Sequence, residues 1–175
     1  NFYFSVRYLK EYIKDYFKDG SKWNIKINYI EEEKSLGTAG SLSLLSNTNQ
    51  NPILVLNGDV LTNIDYNQLI KFHSDHPADM SLCVRKHITE IPYGTVNIDD
   101  LNVIDLEEKP TLSHYINAGI YLLEKSTIDL IPKNTFFDMT DLIKLAKKKQ
   151  YKVNAFPIHE YWQDIGLPKN FYDIL

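Results

Sequence analysis

The alternation of apolar and polar positions predicts several β-strands in this chain. Between residues 25 and 29, two isoleucines and a tyrosine alternate with lysine and asparagine, the period of a strand with one buried face. Residues 53–56, Ile-Leu-Val-Leu, form a continuous apolar run, which is typical of a central strand buried on both faces. Further strands are predicted at residues 80–84, 94–98, 103–107, 115–123 and 152–156.

Apolar residues recur at helical spacing in other segments. Residues 6–17 predict a first helix, with Ser5 as its N-terminal cap and Gly20 just beyond its end. Asp65 or Asn67 opens a second helix, and a third covers residues 140–148 before three lysines that complement its dipole. Helices that alternate with strands predict one α/β layer structure.

Composition limits the possible classes of protein. The 175 residues are 43% hydrophobic, which suits a single domain with a sizeable core. Nineteen basic against 23 acidic residues give a net charge of −4, which argues against nucleic-acid binding. The apolar stretches are too short to span a membrane. One cysteine, Cys83, fits a small core residue in a reducing compartment, so we expect a cytoplasmic protein.

The first residues indicate a chain that continues upstream. Asn1 is not an initiator methionine, and the segment after it has no basic, apolar pattern of a signal peptide. We therefore expect residues 1–175 to be the C-terminal portion of a longer domain.

Two acidic residues each lie within two positions of a glycine, after an apolar or aromatic segment. Asp59 follows the predicted buried strand through Asn57-Gly58, and Asp164 precedes Ile165-Gly166. Ligands of open α/β sheets bind at the carboxyl ends of strands, and such carboxylates could hold Mg²⁺. The alternative is that Asp59 belongs to a turn and that Asp164 caps a helix starting near Pro168.

Two further segments could contact a ligand. Leu36–Ser41 is small and Gly-bearing, which suits close approach to a flat or anionic ligand, although the chain has no P-loop or dinucleotide fingerprint. Lys109 precedes Pro110, which favours an extended backbone at the lysine. It could therefore point at a phosphate from a fixed position, or it is an ordinary solvated lysine.

Other residues favour structural interpretations. His73 and His76 could suggest a metal site, but without nearby Cys or His we interpret them as a solvated helix face. Tyr8, Tyr12 and Tyr16 repeat every four residues, and we interpret them as core or core-edge residues rather than a stacking platform.

Six short motifs follow one another along the chain. They are Leu36-Gly37-Thr38-Ala39-Gly40, Leu56-Asn57-Gly58-Asp59, Pro92-Tyr93-Gly94, Glu107-Glu108-Lys109-Pro110, Asn117-Ala118-Gly119-Ile120-Tyr121 and Trp162-Gln163-Asp164-Ile165-Gly166. In this order they resemble the sugar nucleotidyltransferases, especially bacterial members of the mannose-1-phosphate guanylyltransferase type, some of which carry N-terminal CBS domains.

The resemblance implies a fold, a reaction and a metal. The fold would be Rossmann-like, a mixed and mainly parallel sheet flanked by helices. The reaction would join a sugar 1-phosphate to a nucleoside triphosphate, release pyrophosphate and require Mg²⁺. A homo-oligomer is also possible for such an enzyme.

Site residues carry over from the family position by position. Asp59 and Asp164 match its Mg²⁺ carboxylates, and Lys109 matches the lysine that binds the sugar phosphate. Sugar contacts are implied for Glu108, Gly94 and Asn117. Base contacts are implied for Gly37 and Thr38, and for Glu32, which could accept from guanine and so favour GTP.

The chain also departs from the family. It lacks the Gly-rich loop with Thr-Arg and the Lys-Pro motif that hold the triphosphate, and we expect these elements and the first strand to precede Asn1. We therefore expect residues 1–175 alone to be inactive. Two alternatives remain open, a metal-dependent glycosyltransferase and a non-catalytic domain that senses a sugar phosphate or nucleotide.

Overall fold

The computed structural model describes residues 1–45 and 51–166. Its strands are β1 (Phe2–Val6), β2 (Ile27–Glu31), β3 (Ile53–Leu56), β4 (Val60–Thr62), β5 (Met80–Glu90), β6 (Thr95–Asp99), β7 (Asn102–Glu107), β8 (Thr111–Leu123), β9 (Val153–Ile158) and β10 (Trp162–Asp164). Its α-helices are α1 (Lys10–Phe17), α2 (Gly37–Gly40), α3 (Tyr66–Asp75), α4 (Lys125–Ile128) and α5 (Met139–Lys148). Short 3₁₀ turns cover Ser21–Trp23 and Ser41–Leu44.

Parallel and antiparallel pairings both occur. A four-stranded sheet has the order β3-β8-β5-β9. β1 pairs in parallel with β2, whereas β4 with β10 and β6 with β7 pair antiparallel. Strands interspersed with helices confirm the predicted mixed α/β class.

The described chain divides into two compact units. The first comprises residues 1–45, 51–55, 73–81 and 122–154, and the second comprises residues 56–72, 82–121 and 155–166. Fully buried side chains of the first include Leu36, Met80 and Leu142. The second buries Leu69, Cys83 and Ile120, so each unit has apolar residues at its centre.

Several predicted elements are confirmed within a few residues. Helix α5 buries Met139, Leu142 and Ala146, and it ends on two lysines as the dipole argument predicts. Helix α3 follows Asp65, whose carboxylate accepts a hydrogen bond from the Asn67 N–H at 2.9 Å, so Asp65 rather than Asn67 is the capping residue. Cys83 is fully buried as predicted, and burial raises the pKa of its thiol to about 12.

The prediction for the N-terminal segment is wrong in part. Ser5 does not cap a helix but lies in β1, where it is paired with Ile30 of β2. The helix begins only at Lys10, after Leu9 with a left-handed φ of 54°. Pairing with a distant strand decides the conformation here, and periodicity within the segment gave no sign of it.

The interpretation of the tyrosine stripe is also wrong. Tyr8, Tyr12 and Tyr16 are all more than half exposed, and no residue of α1 is fully buried. The inward side of this helix is the neighbouring stripe of Ile13 and Phe17, and the Phe17 ring packs edge-on against that of Phe4 with centroids 5.1 Å apart. Since consecutive helix positions differ by 100°, Tyr12 faces outward. The Tyr16 ring, although exposed, packs at one edge against Phe17 and Trp23, with centroids 4.9 and 5.9 Å away.

Two other predictions need correction. The residues of β3 are only half-buried and Leu56 is exposed, because this strand lies at an edge of its sheet rather than at the centre. His73 is not on a solvated face. It is buried, with Nδ1 2.8 Å from Ser81 Oγ and Nε2 3.2 Å from Glu124 Oε1, so it connects the end of α3 to β5 and to the residue before α4.

In the parts of the chain that the structure describes, no helix has the length and apolarity needed to cross a membrane.

Candidate functional site

Two acids about one hundred positions apart in sequence lie together in the second unit. Strand β10 runs antiparallel to β4 and places Asp164 opposite Val60, the residue that follows Asp59. The Ile165 N–H also donates to the Asp59 carbonyl oxygen at 2.8 Å. The pairing of two very short strands thus brings the predicted carboxylates side by side.

Gly166 shows how close the two carboxylates are. A Cβ at this glycine would lie 2.6 Å from Asp59 Oδ2 and 3.1 Å from Asp164 Oδ1, so both oxygens lie within 3.1 Å of one point. The Gly166 N–H donates to the same Asp164 oxygen at 2.8 Å. Asp164 is therefore a hydrogen-bond acceptor in a tight turn, and Pro168, proposed as the start of a capped helix, lies outside the described residues.

A pair of carboxylates is a donor set that suits Mg²⁺. Among residues 1–45 and 51–166, no cluster of three or more His, Cys, Asp or Glu side chains forms a metal cage. Mg²⁺ does not need one, since it binds through one or two carboxylates and keeps waters or substrate phosphates as its other ligands. Asp59 and Asp164 could supply these two carboxylates.

Asn57, two positions before Asp59, packs against Gly119. The Asn57 N–H donates to the Gly119 carbonyl at 2.8 Å. Gly119 has φ +70°, and a Cβ there would lie 2.9 Å from Asn57 Nδ2. Glycine is therefore required for two reasons, the left-handed backbone and the close approach of the asparagine amide.

The predicted sugar contact Asn117 is held by its own strand. Its Nδ2 donates to the Tyr121 hydroxyl at 2.8 Å, and its Oδ1 accepts from the Gly119 N–H at 3.0 Å. Tyr121 is buried, and this burial raises the pKa of its hydroxyl. Trp162 of β10 donates from Nε1 to the Ala118 carbonyl at 2.8 Å, which ties β10 to the same segment.

Gly94 and Glu108 come together at the open end of the β6–β7 hairpin. A Cβ at Gly94 would lie 2.9 Å from Glu108 Oε2, and the neighbouring residues Thr95 and Glu107 are paired across the hairpin. The two residues that the resemblance assigns to the sugar are thus direct neighbours.

Lys109 does not have the extended backbone that Pro110 led us to expect. Its φ is 48°, in the left-handed region, where the chain turns from β7 into β8. The demands of this turn override the preference that proline imposes on the preceding residue. Its side chain is exposed, so the ammonium group can reach a ligand from solvent.

The predicted base-binding segment belongs to the first unit and is helical. Residues 37–40 form the single turn α2, and residues 41–44 continue as a 3₁₀ turn. Gly37 has φ +73°, and a Cβ there would lie 2.6 Å from Asp138 Oδ1. A Cβ at Gly40 would lie 2.5 Å from the Thr135 carbonyl oxygen, so both glycines allow close packing on residues 135–138.

Glu32 and Thr38 make internal hydrogen bonds. Glu32 Oε1 accepts from the Ser5 hydroxyl at 2.6 Å, and its Oε2 accepts from the Leu36 N–H at 3.0 Å. The Thr38 hydroxyl accepts from the Met139 N–H at 2.8 Å, and the Thr38 N–H donates to Asp138 Oδ1 at 3.0 Å. Both side chains therefore brace residues 36–40, the segment predicted to contact a base.

Sequence reasoning missed two residues of these clusters as functional candidates. Gly166 was noted only as the end of a motif, because a single glycine does not show which side chains approach it. Asp138 was not singled out, although an acid before an apolar-periodic helix is a start signal. Its partner Thr38 is 100 positions away, which no local pattern reveals.

Comparison with known proteins gives a consistent family. A family model described as "Nucleotidyl transferase" matches residues 3–175. Mannose-1-phosphate guanyltransferase of Candida albicans is 34% identical over 159 residues, which are 86% of this chain and 43% of that protein. The catalytic subunit beta of mannose-1-phosphate guanylyltransferase from Drosophila melanogaster is 32% identical, with 86% of this chain and 42% of that protein covered.

Solved structures share the fold. HddC from Yersinia pseudotuberculosis has a TM-score of 0.69 and 27% identity, covering 98% of this chain and 75% of that one. The same protein has been solved in complex with GMP-PN. A Bacillus anthracis structure at 19% identity has a TM-score of 0.74. The chain spans less than half the length of the curated relatives given above.

Proposed function

Because the chain belongs to the nucleotidyl transferase family, we propose that it forms part of an enzyme that joins a sugar 1-phosphate to a nucleoside triphosphate. The products would be a nucleoside-diphosphate sugar and pyrophosphate. The observation that carries this proposal is the convergence of the Asp59 and Asp164 carboxylates beside Gly166.

The reaction needs little from the protein beyond binding and charge. One oxygen of the sugar phosphate would attack the α-phosphorus in line, and the bond to the bridging oxygen would break as pyrophosphate leaves with its electron pair. The attacking oxygen is already ionised, so no general base is required. A bound Mg²⁺, held by Asp59 and Asp164, would neutralise and orient phosphate oxygens.

We propose that Lys109 holds the sugar phosphate. Its side chain is exposed at the turn from β7 into β8, where a positive charge can meet a phosphate from solvent. Glu108, packed against Gly94, would accept hydrogen bonds from sugar hydroxyls, because a carboxylate is a strong acceptor. Asn117, fixed by Tyr121 and Gly119, would offer the second hydrogen of its Nδ2 to the same ligand.

GTP and mannose 1-phosphate are the substrates we favour. Support comes from relatives that are named mannose-1-phosphate guanylyltransferases and from the GMP-PN complex of HddC. For Glu32 we propose bracing of the base segment rather than recognition of guanine, since Ser5 and Leu36 already donate to its two oxygens. Gly37 stays our candidate for a contact with the base.

Several finer features stay predictions. They are the cytoplasmic location, the homo-oligomer, the CBS domains and the bacterial source, and the relatives named above come from a yeast and a fly.

The test uses the complete product of the gene with GTP, mannose 1-phosphate and Mg²⁺, and measures pyrophosphate release. We expect release to require all three. Gly166→Ala should lower the rate about tenfold or more, because the new Cβ displaces a flexible carboxylate of the metal pair and leaves the fold intact. Gly58→Ala is the matched control, since a Cβ at Gly58 meets nothing within 4 Å.

Other outcomes would contradict parts of the proposal. Equal rates for the two alanine variants would remove the metal pair from the mechanism. Consumption of a nucleotide sugar without pyrophosphate release would indicate the metal-dependent glycosyltransferase. Binding of mannose 1-phosphate without turnover would indicate a sensing domain.

A further inference from the structure

The backbone amides of residues 36–40 point into the protein rather than toward a ligand. The Leu36 N–H donates to Glu32, and the Thr38 N–H donates to Asp138, both at 3.0 Å. The Ala39 and Gly40 amides both donate to the Phe137 carbonyl, at 3.0 and 2.9 Å. Four of the five amides in this segment therefore bond to the chain itself.

This arrangement decides which kind of ligand the segment can take. A phosphate bound by backbone needs several convergent N–H groups that point at it. Here these donors are already used, so the segment cannot form such an anion cradle. Gly37 is half-buried and Thr38 is exposed, whereas the other three residues of the segment are buried. A flat, uncharged group can therefore lie only against Gly37 and Thr38.

Asp138 connects this surface to helix α5. It occupies the N-cap position of α5, yet its side chain makes no capping hydrogen bond to its own helix. Its Oδ1 instead accepts from the Thr38 N–H, and the Thr38 hydroxyl accepts from Met139, the first residue of α5. Each segment thus accepts a hydrogen bond from a backbone N–H of the other.

The start of helix α5, which follows Asp138, is held in place by packing. Met139 and Leu142 of α5 are 1% and 0% exposed, so the helix start is fixed by packing. Gly37 lies so close that its Cβ position is 2.6 Å from Asp138 Oδ1. The Asp138 carboxylate therefore fixes the position of Gly37.

We propose that Asp138 is a positioning residue that sets the affinity for the nucleoside part of the substrate and leaves phosphate binding unchanged. The inference rests on the proposed function, because it takes the ligand of residues 36–40 to be a nucleobase. Asp138 acts through Thr38 and Gly37 and does not itself touch the base.

The experiment measures the dissociation constants of guanosine and of pyrophosphate with Mg²⁺ by calorimetry on the complete gene product. Asp138→Ala should weaken guanosine binding about tenfold through loss of a charged acceptor, with pyrophosphate binding unchanged. Asp138→Asn keeps an Oδ1 acceptor and should restore guanosine affinity to within about threefold of wild type. Asp141→Ala is the control, because Asp141 is an acidic residue in the first turn of the same helix. This variant should change neither dissociation constant.

Each other result has a definite meaning. If wild type binds guanosine and Asp138→Ala binds it equally well, the positioning role is wrong and the proposed function stands. If Asp138→Ala weakens both probes alike, or the asparagine variant fails to restore binding, the effect is general damage and the inference is again wrong. If wild type binds neither probe, the proposed function fails and the inference fails with it.

Discussion

At the scale of single residues, Lys109 combines a costly backbone with an exposed positive charge. A left-handed conformation costs a non-glycine residue about 1–2 kcal/mol, yet the chain uses lysine here rather than glycine. If the ammonium group binds a phosphate, the position trades stability for function.

The stability cost of this backbone can be measured with two variants that both remove the ammonium group. Lys109→Gly should unfold at higher urea concentration than Lys109→Ala, with a difference of about 1 kcal/mol, because only glycine relieves the left-handed strain. Both variants should lose affinity for mannose 1-phosphate to the same extent in a titration of the complete protein. Equal stabilities would show that the backbone is not strained, and unchanged affinity in both would exclude the phosphate contact.

Residues whose signal is local could be predicted, and residues whose partner is distant could not. Asp59 and Asp164 could be predicted as a pair because each lies within two positions of a glycine, after an apolar or aromatic run. The bracing role of Glu32 could not, since its partner Ser5 lies in β1, where the local periodicity predicts the start of a helix. The left-handed backbone of Lys109 was missed because the preference before proline points the other way.

At the scale of elements, a pair of lysines attaches α1 to β2. Lys10 and Lys14 contact the two oxygens of Glu31 at 2.8 and 2.6 Å. Their hydrogen bonds, first that of Lys10, lower the pKa of the Glu31 carboxyl from 4.5 to about 2. The acidic end of β2 therefore holds α1, a helix in which no residue is fully buried.

The lowered pKa predicts a pH window. Since the folded-state pKa lies below the unfolded value, the stabilisation is fully present above pH 4.5 and is lost as the pH falls toward about 2. Glu31→Gln should lower the thermal midpoint at pH 7, and the difference from wild type should vanish near pH 2. Glu33→Gln is the matched control, an exposed glutamate two positions on. A difference that persists unchanged at low pH would contradict the ion-pair account, as would insensitivity to added salt.

Elements were predictable in proportion to how much of their stabilisation is local. Helices α3 and α5 carry their own start signals and apolar stripes, so the sequence locates them closely. Strands β4 and β10 were missed because three residues are too few to show a period, and they exist only because they pair with each other. β1 was missed because it is stabilised by pairing with β2, which lies some twenty-five residues away.

At the scale of the whole chain, apolar residues are unevenly protected from solvent. The β6–β7 hairpin exposes Val96, Ile98, Val103 and Leu106, which its pairing register places on one face. Two-stranded hairpins are only marginally stable in water. Cys83, in contrast, lies fully buried in β5.

Such differences in local stability were not readable from composition, because the same apolar residue types occur in both places. Hydrophobic content predicted that the chain has a core, and short apolar runs predicted most of its strands. Which runs become buried depends on the neighbours that each strand acquires in the sheet, and this is why β3 is half-exposed while the end of β8 is fully buried.

Cys83 offers a measurement of how the buried part opens. Burial raises the pKa of its thiol to about 12, so almost no thiolate exists at pH 8, and the side chain is inaccessible to reagents. We expect an aromatic disulfide reagent to label the 175-residue chain only after unfolding, with a rate that rises with urea and follows the pKa of an ordinary thiol, about 8.5. Cys83→Ala, which removes the single cysteine, gives the background rate. Rapid stoichiometric labelling without urea would mean that β5 opens in the native state, and the free energy of that opening would then follow directly from the ratio of the native and unfolded labelling rates.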